Sequence, residues 1–146
     1  MMMKITRMIV RLCFLAAIVA AGVCSAESAP TFQLDHDNTR VVSVSNLYAD
    51  PTCTPRKLSG TVVKRLFEDN RVMVAGFILE LPDGSRDFIN VDADFTGLTL
   101  KASGWIIRGL ERMLNHGNVV EVTVKSCAIG HIGNLDAVRE VPPSQH

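Results

Sequence analysis

From position 58 onward the chain alternates short apolar-rich runs with polar turns. Leu58 to Phe67 (LSGTVVKRLF) reads as a strand and is stopped by Glu68, Asp69 and Asn70. Arg71 to Leu81 and Arg86 to Asp92 read as two more, joined by Pro82-Asp83-Gly84-Ser85. The period then changes. In SGWIIRGLERMLNHG, Ile106, Leu110, Met113 and Leu114 recur at helical spacing and Ile107 widens the stripe. Ser103 is the expected N-cap and Gly117 the expected C-terminal glycine. Val119 to Lys125 returns to strict alternation, with Val120, Val122 and Val124 on one face. Leu135 to Val141 is a last strand before a proline-rich tail, 142–146.

Upstream, residues 27–39 lack apolar periodicity and read as a flexible leader. Arg40 to Tyr48 (RVVSVSNLY) is β-rich, and with the loop around Pro51, Cys53 and Pro55 it makes an extended arm over 40–56. The domain proper is expected over 57–141.

The second hairpin is specified in detail. Leu81-Pro82-Asp83-Gly84 suits a type I turn followed by a left-handed glycine, which pairs Glu80 with Arg86, Ile78 with Phe88 and Phe77 with Ile89. A register shifted by one residue would oppose Glu80 to Asp87, a repulsive cross-strand pair. Ala75, Phe77, Ile89 and Val91 then face inward, and Arg86 has Glu80 as its partner. Ile78 and Phe88 point outward. The expected reason is coverage by the 40–48 arm; the alternative is a ligand-facing patch.

The N-terminus changes the meaning of the composition. Lys4, Arg7 and Arg11 precede an uncharged apolar core from Leu12 to Ala21, and small residues follow at Cys24 and Ala26. This is a signal-peptide pattern, 1–26, and the core is shorter than the ~20 residues of a spanning helix. Export, to a bacterial periplasm, is the expectation, with no transmembrane segment after cleavage. Three of the fifteen lysines and arginines lie in that segment and none of the fifteen acids, so the remainder carries a net charge of −3. Such a balance argues against a nucleic-acid partner. Cys13 and Cys24 leave with the signal, and Cys53 and Cys127 remain to form one disulfide.

The order β-β-β-α-β-β, with the helix between the third and fourth strands, resembles the OB-fold barrel. That resemblance implies a mainly β, five-stranded OB-like barrel with one helix, but no particular activity, because the architecture hosts many. Among secreted relatives of the fold, the chain distantly resembles the thermonuclease type. That likeness would place Arg86, Asp92 and Asp94 in phosphate and metal roles, yet the family's Thr-Pro-Glu segment is missing where Asp92-Ala93-Asp94-Phe95 stands. Asp92, Asp94, Thr96 and Gly97 also begin like a calcium loop. The pattern then breaks, with Leu100 at position 9 and Ser103 in place of the bidentate glutamate.

Neither a catalytic constellation nor a cofactor motif emerges. The expectation is a non-catalytic binding or interaction module for a protein or small anionic ligand. Its contact residues are Ile78 and Phe88 with the basic rim Lys64 and Arg71. A divergent metal-dependent nuclease or phosphodiesterase, using Asp92 and Asp94, is the alternative; a structural envelope protein is the other.

Overall fold

One long strand serves two neighbours. The computed structural model describes residues 29–67, 73–127 and 132–142. In it β3 (Thr54–Phe67) pairs with β6 (Val119–Ser126) from Thr54 to Thr61, then with β4 (Val74–Glu80) from Thr61 to Phe67. Gly60 stands at the changeover. β4 continues into β5 (Arg86–Asn90) and β6 into β7 (Gly133–Glu140). A short parallel pairing of Ile89 and Asn90 with Gly133 and Asn134 closes the ring. The order β7-β5-β4-β3-β6, returning to β7, is the five-stranded OB-like barrel that the element order implies. Residues 1–26, read above as a signal segment, and Arg71 lie outside the described residues.

The hairpin register follows the turn chemistry. Leu81 N–H donates to Ser85 O at 2.8 Å, Gly84 N–H donates to Leu81 O at 2.9 Å, and Gly84 has φ +83°. Glu80 faces Arg86, Ile78 faces Phe88 and Phe77 faces Ile89. Phe77, Leu79 and Ile89 are fully buried, and they meet Ile106, Leu110 and Met113 in one core. Among the described residues no polar side chain is buried. The core is held by apolar packing.

α1 (Leu100–Met113) starts a turn earlier than the sequence suggests. Thr99 is the cap: its Oγ1 accepts Ala102 N–H at 3.2 Å, while Ser103 donates back to Thr99 O and Leu100 O inside the first turn. Leu100, Lys101 and Ala102 are all good helix formers, so nothing delays the start to Ser103. At the other end Asn118 Nδ2 donates to Arg112 O at 2.8 Å and Met113 O at 3.3 Å. Gly117 (φ +87°) instead gives its N–H to Val62 O.

The arm lies elsewhere than expected. Thr31–Leu34 (β1), within the stretch read as a leader, is a strand, because Phe32 and Leu34 alternate onto the core and Phe32 stacks on Trp105 at 6.4 Å. It forms a hairpin with β2 (Val41–Ser45), and β2 pairs with β7 through Ser43–Arg139 and Val44–Val138. The arm therefore extends the sheet beside β7 and packs on α1, and does not lie over Ile78 and Phe88. Two contacts fix it. Arg112 donates to both Glu140 oxygens, at 3.1 and 3.0 Å, and to Val41 O. Gly109 is the second: a Cβ there would come within 2.7 Å of Val41 Cβ and Cγ1.

Alanine ordinarily gains about 1 kcal/mol over glycine inside a helix. At Gly109 the clash reverses the sign, and a net loss of about 1–2 kcal/mol is expected. Because Trp105 is the chain's one tryptophan and stacks on the hairpin, its fluorescence reports the displacement. Unchanged emission in Gly109→Ala would show that Val41 yields without moving β2. Among the described residues no helix is long and apolar enough to cross a membrane.

Candidate functional site

Register gathers the outward residues into a row. Across β3, β4 and β5 the partners Lys64, Ile78 and Phe88 stand side by side. Ile132 precedes the paired Gly133 and Asn134, so it takes the next position beyond Phe88. At ~4.8 Å per strand the row is about 14 Å wide. The next row is Leu66, Gly76, Asn90 and Asn134, where Asn90 Nδ2 donates to Asn134 Oδ1 at 2.9 Å.

Phe88 is held up by a glycine. A Cβ at Gly76 would lie 2.8 and 2.9 Å from Phe88 ring carbons, so the ring rests flush on bare backbone. An aromatic laid over a cross-strand glycine restores the packing that the glycine omits. One face of the ring is spent this way, and Phe88 keeps 42% of its surface exposed. Ile132 is 55% exposed, and Ile78 is half-buried between its neighbours. Arg86 lies beyond the row with its guanidinium on Glu80 at 2.8 Å, so that charge is already answered.

The structure thus brings Lys64, Ile78 and Phe88 together. Ile132 is the member the sequence reading missed: it needed the parallel β5–β7 pairing, which no local pattern encodes. The hairpin register sets Gly76 on this face opposite Asn90, and the structure adds that the Phe88 ring lies over it.

The other candidates separate. Arg86 opens β5, whereas Asp92 lies past its end, about 20 Å along the strand. They do not converge on one phosphate. Asp92 and Asp94 instead line a cavity of about 570 Å³ with Asp50, Leu47, Tyr48 and Pro51. Asp94 accepts Thr96 N–H at 2.8 Å, and hydrogen bonds from the Thr96 side chain and backbone hold its carboxyl below the usual range. That is turn chemistry. Cys53 and Cys127 are bonded, joining the start of β3 to the end of β6. Among the described residues the one group of three metal-ligating side chains is Asp50 with these two cysteines.

No family model matches the chain, and comparison with curated proteins and with solved structures finds no match.

Proposed function

We propose that this chain is an exported, non-catalytic binding module of OB-fold kinship that docks a protein partner on the outer face of β4 and β5. The observation that carries the reading is the uncovered row Lys64–Ile78–Phe88–Ile132. The ligand class follows from shape. Small-molecule sites are concave and enclosing. This row lies on the outside of a closed barrel, with apolar groups at its centre and Lys64, the Asn90–Asn134 amides and the Glu80–Arg86 pair around it. That anatomy suits a partner presenting apolar side chains with a carboxylate toward Lys64. Periplasmic export is supported by the N-terminal signal pattern and by a disulfide that an oxidising compartment would preserve.

The test is positional. A photo-crosslinking amino acid at Phe88, in protein expressed in an exporting bacterium, should give a discrete protein adduct. The same group at Lys101, on the exposed side of α1, should not. Ile78→Asp and Ile132→Asp should each remove the adduct while leaving the melting temperature within a few degrees. In the purified pair, Phe88→Ala should weaken binding by about 2 kcal/mol, roughly 30-fold. Equal labelling from positions 88 and 101 would refute the assignment.

A further inference from the structure

We propose that Cys53, Cys127 and Asp50 form a zinc site that the disulfide keeps closed and that opens when the two sulfurs are reduced. Strand pairing brings the ligands together before any metal arrives. Thr54 faces Ser126 at the ends of β3 and β6, so the cysteines that flank them are cross-strand neighbours, 4.2 Å apart between Cα atoms. Asp50 joins them from the β2–β3 loop, and the three ligand atoms all lie within 4.8 Å of one another. Tetrahedral zinc, with Zn–S near about 2.3 Å and Zn–O near about 2.1 Å, needs ligand atoms about 3.5–3.8 Å apart. Parting the sulfurs to that spacing is a side-chain movement.

Asp50 is prepared for the role. Thr52 donates both its N–H, at 2.8 Å, and its hydroxyl, at 2.7 Å, to the same oxygen, Oδ1. The loop conformation is fixed by that turn, and Oδ2 keeps its lone pairs. The nearest ammonium, Lys125, is engaged by Asp136 at 3.2 Å and Tyr48 O at 2.7 Å, and therefore does not occupy the ligand position. Asp50 also lines the cavity that holds Asp92 and Asp94.

The donor set selects the ion. Two thiolates and one carboxylate suit zinc, whereas calcium and magnesium require an oxygen cage. In the disulfide form each sulfur's bonding electrons are shared with the other, and no thiolate exists. A dithiol reductant supplies two electrons and two protons to the sulfur–sulfur bond and leaves as its own cyclic disulfide. Zinc then displaces the two thiol protons.

Cobalt is the spectroscopic probe. The exported chain, freed of the signal segment and with it of Cys13 and Cys24, is reduced with a dithiol, desalted without oxygen at low temperature, and titrated with Co²⁺ and then Zn²⁺. Thiolate-to-cobalt absorption should saturate at one equivalent and vanish on adding zinc. The oxidised protein and Cys53→Ser should show none. Asp50→Asn, which can keep the Thr52 bonds, should weaken cobalt binding at least about tenfold. Zinc should also raise the melting temperature of the reduced chain. A folded, reduced chain without the band would overturn the site, as would equal affinity in Asp50→Asn. Loss of the barrel's circular dichroism on reduction would overturn it too.

Discussion

Gly60→Ala is expected to be among the most damaging substitutions in the barrel. A Cβ at this position would lie 2.3 Å from the carbonyl oxygen of Glu80, 3.0 Å from Leu79 Cγ and 3.1 Å from Glu80 C. The first and third obstacles are backbone, so no side-chain rotation relieves them. β3 passes from β6 to β4 at this point, and the strand can bend between them only while nothing projects from Gly60. Relief would have to pull β4 away from β3, parting the Thr61–Glu80 pair and the packing of Leu79 beneath it. Overpacking of a core ordinarily costs about 1–3 kcal/mol, and a backbone clash belongs at or above the top of that range. In urea the midpoint should fall by about 1.5 M or more at an unchanged slope. A midpoint equal to that of the native chain would mean that the β3–β4 junction shifts freely, and that the glycine is incidental.

Removing the disulfide should rank with it, for a different reason. Cys53 and Cys127 are 74 positions apart, so the bond withdraws most of the domain's loop-closure entropy from the unfolded chain. The chain-entropy account gives about 4 kcal/mol for a loop of this length. Cys53→Ala with Cys127→Ala should therefore lower the melting temperature by about 15 °C. Reducing the native protein without metal should reproduce most of that fall. A loss of only a few degrees would indicate that the unfolded chain is already compact around this loop. Against a typical net stability of about 5–15 kcal/mol, the doubly substituted chain should still fold in the cold.

The two substitutions bracket what was legible in the sequence. The hairpin could be read to the residue because its determinants are neighbours: the turn Leu81–Gly84 fixes the loop, and Glu80 with Arg86 rejects the shifted register. The barrel order was legible because the apolar period switches from strand to helix and back at Ser103 and Val119. The position of the arm was not legible. RVVSVS alternates whichever strand it joins, and the choice of β7 rests on Val41 meeting Gly109, a helix glycine with no local signature of that contact. Lys64 stands beside Ile78 only because a bulge between Val62 and Lys64 advances the β3 register. Bulges of that kind answer to barrel curvature, which a linear pattern does not contain. Asp50 reaches the cysteines for a similar reason: the β2–β3 loop is carried there by an arm whose partners lie at the far end of the chain.

That arm has a consequence in time. β2 is stabilised by β7, by α1 and by the Arg112–Glu140 bridge, and every one of these follows it in the chain. During synthesis the β1–β2 hairpin emerges before anything it can rest on. An isolated two-stranded hairpin is marginal in water, so it must wait, with Val41, Val44 and Leu47 unprotected, until the last strand has appeared. The first strands made are the last to be secured, and any factor that shelters this chain on its way to the fold should find its handle there.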